Sequence, residues 1–251
     1  MKVVWLASYP KSGNTFIRLL LHTYLFGESQ DSETIGKSIP DLHQLLAQNN
    51  TLDPDSDQQI IVKTHFCYSD NHPYKESTIG CIYILRNPRD ILLSNARYLG
   101  ADSNQDELRK FATAFINNLG VAHWRQMNMG SWPEHLASWL YSANNLPHIF
   151  ITYENLRTDT ANTLKRVVSF LGMEPDDSRI EMTVRHCAID NARNFEIEEK
   201  KKGRKNIYVD LPNNASFVGE GKTAQSLTHI GEDIESLYQE KFGKFVNIFG
   251  Y

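Results

Sequence analysis

An α/β fold with a central parallel β-sheet flanked by helices is what the sequence predicts, on three observations. Val3–Ala7, Ile60–His65 and Cys81–Arg86 are short apolar runs of strand length. Each hands over to polar or charged residues at its C-terminal end. The first passes through a tight turn directly into a helical pattern. Runs apolar on both faces belong in a sheet covered by helices, and such sheets place ligand sites along their carboxyl edge.

Taken in order, the first strand leads into Ser-Tyr-Pro-Lys-Ser-Gly-Asn-Thr at residues 8–15, and apolar residues then recur at 16, 17, 20, 21, 24 and 25. That spacing is helical. A strand, a turn and a helix start aim several backbone N–H groups and a partial positive charge at one point. The stretch therefore reads as a cradle for a phosphate or sulfate. Lys11 adds a full charge, Ser12, Asn14 and Thr15 add side-chain donors, and Gly13 lets the backbone come close. Two other readings stand beside it: an empty connection with Lys11 in solvent, or a nucleoside-triphosphate loop. The latter pattern has Lys directly after its second Gly, whereas Lys11 precedes Gly13 and no Gly opens the turn.

Residues 28–59 are polar, with a turn-rich break at Asp53-Pro54-Asp55-Ser56-Asp57 and a short helix expected over 41–48, capped by Asp41. Residues 66–78 read as loop. Asn87-Pro88-Arg89-Asp90 turns into a helix over 91–99, where Pro88 suits the first turn. Residues 105–142 look helical and carry Phe111, Phe115, Trp124, Trp132, Trp139 and Tyr141, mostly as core. Ile149–Tyr153 is a fourth strand, and helices are expected over 158–171, closed by Gly172, and over 176–187. The charged run Glu196 to Lys205 reads as a solvated loop. Residues 206–224 are turn-rich, and a last helix is expected over 231–242.

Bulk composition narrows the function classes. The chain of 251 residues carries 26 basic and 30 acidic side chains, and no basic stripe, which argues against a nucleic-acid partner. Cys67, Cys81 and Cys187 are odd in number and far apart, so neither a disulfide framework nor a zinc pattern follows. No run has the length of a membrane span or a signal peptide, so a cytoplasmic setting is expected.

Three motifs share the expected carboxyl edge: residues 9–15, Lys63-Thr64-His65, and Arg86-Asn87-Pro88-Arg89-Asp90 with Ser94 one helical turn later. At these residues the sequence resembles the cytosolic-type sulfotransferases. Gly130-Ser131-Trp132-Pro133-Glu134-His135 with Trp139 is similar to that family's G-S-W-x-x-H…W segment, and Thr152-Tyr153-Glu154-Asn155-Leu156 to its T-Y-E-D-M strand end. The ordered set covers roughly residues 3–200. The resemblance implies a single domain over 1–251 with a P-loop-NTPase-like fold. It also implies transfer of a sulfuryl group from 3′-phosphoadenosine 5′-phosphosulfate (PAPS) to a hydroxyl or amine of a small-molecule or glycan acceptor, leaving PAP.

Within that resemblance, Lys11 meets the bridging oxygen and 5′-phosphate, and amides of Ser12, Gly13, Asn14 and Thr15 hold the rest. His65 is the base, with an ordinary pKa near ~6.5, and Lys63 neutralises sulfate oxygens. Phe16 stands where the family usually stacks a Trp on adenine, and Tyr153 matches its adenine-contacting Tyr. Arg86 and Ser94 correspond to 3′-phosphate ligands; an ion pair of Arg86 with Asp90 is the alternative, and Arg89 is expected in solvent. A sulfuryl carries little net charge, so no metal is required.

The match departs near the C-terminus. Where the family has R-K-G…G-x-W-K, this chain has Gly219-Glu220-Gly221 and, further on, Ser226 in place of Trp. Gly221 aligns, and Lys222, Lys202, Arg204 or Lys205 are the candidates to replace the lost charge. Gly219-Glu220-Gly221-Lys222-Thr223 imitates a nucleotide loop without a strand before it. No dimer motif of the family is recognisable, so oligomeric state stays open. An ATP-dependent kinase and a non-catalytic nucleotide-binding module are the alternative functions.

Overall fold

The computed structural model describes residues 1–29, 31–52, 58–142, 145–204, 206–212 and 215–251. The expected break at 53–57 and Lys205 lie outside these. The chain runs β1 (Lys2–Ser8), α1 (Asn14–Phe26), α2 (Ser32–Ser38), α3 (Leu42–Ala47), β2 (Gln59–Thr64), β3 (Thr78–Leu85) and α4 (Pro88–Leu99). It continues through α5 (Gln105–Asn117), α6 (Ala122–Gln126), α7 (Trp132–Ala137), β4 (His148–Thr152), α8 (Tyr153–Thr158), α9 (Thr160–Phe170), α10 (Asp177–His186), α11 (Ile189–Lys201) and α12 (Glu232–Val246).

The four strands form one parallel sheet in the order β2-β1-β3-β4. The chain passes from β1 to β2 on one side and then crosses back over β1 to β3 on the other, so the direction of the connections reverses beside β1. In an open parallel sheet the crevice at such a switch point is where ligands bind. Alternation along β1 splits the core as the two-residue period requires. Val3, Trp5 and Ala7 face a layer holding Trp132, Trp139 and Phe242, while Val4 and Leu6 face Ile17, Leu20 and Val167.

The expected strands and helices all appear, except that Tyr153, expected to end the fourth strand, instead opens the unexpected helix α8, and three larger differences follow. Residues 105–142 are broken rather than continuous, and one break is at Leu119-Gly120. There Gly120 has φ 151°, and a Cβ would stand 2.3 Å from the Tyr9 hydroxyl, which accepts from Val121 N–H. Phe115, Trp124, Trp132 and Trp139 are core, whereas Tyr141 is exposed. A helix, α2, stands inside the polar stretch 28–59; the Asp31 carboxylate accepts from Thr34 N–H and caps it. The solvated loop expected over 196–205 is instead mostly helix, through Lys201, and two of its carboxylates are buried. Glu199 accepts from the Ser32 N–H and hydroxyl, and Glu196 from the Ser216 hydroxyl and the Phe217 and Val218 N–H groups, so charge here serves as internal capping. No helix among the described residues is long and apolar enough to cross a membrane.

Candidate active site

The carboxyl ends of β1, β2 and β3 open into one cavity of about 590 Å³. Lys11, Lys63, His65, Arg86, Ser94 and Tyr153 all line it, so the three motifs meet in space. A strap, residues 216–222, forms part of the opposite wall.

Backbone geometry shapes the cradle. Lys11 and Gly13 both take left-handed conformations, at φ 70° and 98°. A Cβ on Gly13 would stand 2.3 Å from the Tyr153 ring, so only glycine fits between loop and ring. The helix dipole of α1 begins here. Thr15 and Phe16 line the cavity, while Ser12 is buried with its Oγ lacking a hydrogen-bond partner among the described residues. Asn14 departs from expectation: its side-chain amide donates back to Leu6 O at 3.1 Å and Ser8 Oγ at 3.2 Å, leaving only its backbone to face a ligand.

The ammonium of Lys11 stands 4.2 Å from the Tyr98 ring centroid and 4.3 Å from that of Phe217. Burial, then repulsion from Arg97, Arg86 and Lys63, pulls its pKa down to about 7. An anion placed among these cations would relieve the repulsion.

Arg86 donates to Lys11 O at 2.9 Å and Lys222 O at 3.1 Å, with its guanidinium 4.1 Å over the Tyr153 ring. It clamps cradle to strap, and its buried Nε has no partner. The ion pair with Asp90 is not what forms: Asp90 accepts from Ala224 N, Gln225 N and Gln225 Nε2. Arg89, expected in solvent, instead pairs with Glu235 at 2.6 Å and lies over Tyr238. Gly221, at φ 70°, and Lys222 line the cavity, but the Lys222 ammonium pairs with Glu220 at 2.5 Å.

His65 Nδ1 lies 2.7 Å from Ser8 O. A carbonyl can only accept, so Nδ1 carries the proton and Nε2 keeps the lone pair. Burial, then the nearby Lys63 charge, holds His65 well below the ordinary imidazole range. Lys63 reaches the cavity, yet its ammonium is already paired with Asp41 at 2.6 Å, so any charge it offers a sulfate is shared. Burial raises Asp41, but the paired Lys63 and the nearby Arg18 outweigh it and hold the carboxyl down at about 2.

His72 and His135 are buried as well, and desolvation lowers them to about 4 and about 3. All three histidines are neutral in the native state and take protons below about 6.5 once unfolded. The unfolded chain then binds more protons, so stability falls with acid from pH ~6.5 toward ~4, by up to ~1.4 kcal/mol per pH unit for each histidine. Urea midpoints at pH 7 and 5 measure this; equal midpoints would contradict it.

Three cavity arginines were not read from the sequence. Arg157 follows Tyr153 by one helical turn; its buried Nε lacks a partner, and its guanidinium is 5.3 Å from the Phe16 centroid. A Cβ on Gly221 would stand 2.9 Å from that Nε. Arg97, one turn after Ser94, donates to Ser216 O on the strap. Their i+4 and i+3 spacing from expected site residues was the available signal. Arg18 is buried in α1; its Nε donates to Ile39 O at 2.7 Å, while Nη2 is unpartnered. Burial brings it down to about 10, still cationic at neutral pH. Of the proposed replacements on the charged run, Arg204 pairs with Glu199 and Asp31, and Lys202 is exposed outside this cavity.

Comparison with known proteins agrees with this architecture. Mouse sulfotransferase 4A1 is 23% identical over 256 aligned residues, covering 96% of this chain and 80% of that protein. Among solved structures, mouse SULT7A1 complexed with PAP superposes with a TM-score of 0.66 at 18% identity, over 99% of this chain and 88% of that one. Retinol dehydratase, in complex with androsterone and PAP, gives 0.62 at 17%, over 96% and 81%. The family profile described as the sulfotransferase domain matches residues 2–246, and the chain belongs to that family.

Proposed function

We propose that this sulfotransferase takes PAPS as donor and moves its sulfuryl group in line to a hydroxyl or amine of a small-molecule or glycan acceptor. The observation that carries the reading is a pair of guanidinium donors without partners among the described residues, Arg86 Nε and Arg157 Nε, both on side chains that line one cavity, with the buried and equally unpartnered Ser12 Oγ in the cradle loop. Buried donors are almost always satisfied, so an unmet group of this kind fits a polyanionic ligand. The PAP in the SULT7A1 and retinol dehydratase structures supports the same choice.

In this reading Lys11 and the amides of residues 12–15 hold the 5′-phosphate and stabilise the charge that grows on the leaving oxygen. Nε2 of His65 takes the acceptor proton, while Ser8 O fixes the ring and its tautomer. Phe16 and Tyr153 flank the adenine, and Arg86 with Ser94 meets the 3′-phosphate. The strap's one cation, Lys222, is paired with Glu220, and Arg157 and Arg97, rooted in helices beneath it, supply the charge instead. Lys63 keeps Asp41 in place beside His65. No step in this reading calls for a metal.

Calorimetric titration with PAP, and with ATP plus magnesium, tests the donor. Saturable PAP binding, with labelled sulfate passing from PAPS to a hydroxyl panel, is the expected result. Indifference to PAP with transfer from ATP would overturn it. Arg157→Met is expected to weaken PAP by about tenfold or more, as for a lost charge-assisted hydrogen bond. Unchanged affinity would remove Arg157 from the site.

A further inference from the structure

The two ends of the cavity differ in a way that bears on the acceptor, taking the donor placement proposed above as given. Phe16 and Arg18 lie two residues apart on α1 and so project about 200° apart around its axis. Phe16 faces Arg157, on the β4 side of the sheet. Arg18 faces Ile39 and the Asp41–Lys63 pair, at the edge strand β2 that leads directly into His65. With the donor over β1, β3 and β4, the β2 edge where Arg18 stands is open to an acceptor approaching His65, and Leu93, Tyr98, Trp124, Met127 and Met129 add an apolar wall to the same cavity.

That edge is polar. Asp41, His43 and Gln44 line it together with Lys63 and Arg18. Lys63 and Asp41 neutralise each other at 2.6 Å, and the second Asp41 oxygen accepts from His43 N–H at 3.0 Å. Among the described residues Arg18 is left as a cation without a hydrogen-bonded carboxylate, only 4% exposed, with Nη2 buried and unpartnered. Across from it, Asn206 packs on Gly36, and Tyr208, also lining the cavity, carries a buried hydroxyl with no partner. A buried guanidinium with an unmet N–H costs stability unless something anionic meets it.

We propose that the acceptor is a hydroxyl compound bearing an oxyanion of its own, a carboxylate or a phosphate ester, and that Arg18 receives this group. Neutral, apolar molecules such as the androsterone of retinol dehydratase would leave Arg18 unpaired. The oxyanion holds the acceptor by its far end and turns the hydroxyl toward Nε2 of His65.

The test uses PAP-loaded protein for binding and PAPS for turnover, with matched acceptors: glucuronate and glucose 6-phosphate against glucose, and 4-hydroxybenzoate against 4-hydroxybenzyl alcohol. The anionic member of each pair is expected to bind about tenfold tighter and to show the higher kcat/KM, the scale of one charged hydrogen bond. Carboxylate and phosphate arms show which oxyanion is preferred. Arg18→Met is expected to bring the anionic-to-neutral ratio down about tenfold, with Arg18→Lys restoring part of it. PAP affinity reports whether either variant is folded, and if neither is, the wild-type ratios decide. Protein that binds PAP yet shows no anionic preference overturns this inference alone. Failure to bind PAP overturns the donor reading instead.

Discussion

Replacing Lys11 with Met is expected to lower kcat by about 10²–10³-fold, the scale seen when one preorganised donor at a developing oxyanion is removed. The ammonium reaches the cavity from a left-handed backbone position between the Tyr98 and Phe217 rings, with Arg86 and Arg97 beside it. Its charge is more valuable once a bond to the leaving phosphate begins to break than in the ground state, so kcat should fall more than PAP affinity. A pH signature accompanies this. Burial and the neighbouring cations hold Lys11 at about 7 in the ligand-free protein. A bound phosphate favours the charged form and raises that value. Above pH 7, binding must therefore take up a proton, and PAP affinity must weaken as pH rises. Titrations at pH 8 in buffers of different ionisation enthalpy measure the uptake directly, and Lys11→Met should abolish it. Proton uptake that survives in the variant would assign the titration elsewhere and remove Lys11 from the phosphate.

His65→Asn is expected to cost about 10²–10⁴-fold in kcat, as for loss of a positioned general base, with PAP binding retained. The imidazole is anchored through Nδ1 to Ser8 O, and Nε2 is held as a lone pair by that anchor. Because burial and Lys63 depress its pKa, the ring stays neutral well below pH 6.5 in the free enzyme. The acid limb of kcat/KM should accordingly lie below the value of an ordinary histidine. An asparagine variant with wild-type turnover, or an acid limb at 6.5 or above, would take the base assignment away from His65.

Much of this was legible in the sequence because it is local. Apolar runs ending in polar residues marked β1 to β4, and the motifs at their ends marked Lys11, His65, Arg86 and Tyr153. What escaped depends on long-range partners. Nothing near Asn14 says that its amide turns back to Leu6 O, and nothing near Lys63 names Asp41, 22 residues away, as its mate. Arg89 looked solvated because Glu235 is 146 residues distant. The charged run 196–205 looked like loop because carboxylates are usually hydrated. The backbone groups that Glu196 and Glu199 satisfy lie on the strap and on α2.

Glu196 has one more consequence. Burial raises it, but Lys200, the Val218 and Phe217 N–H groups and the Ser216 hydroxyl outweigh that, and it stays ionised. One acid on α11 therefore pins a wall of the cavity proposed to hold the donor. In the proposed cycle, shelter from water and speed of product escape hang on the same carboxylate, so its tempo can be retuned from a side chain that does not itself line the cavity.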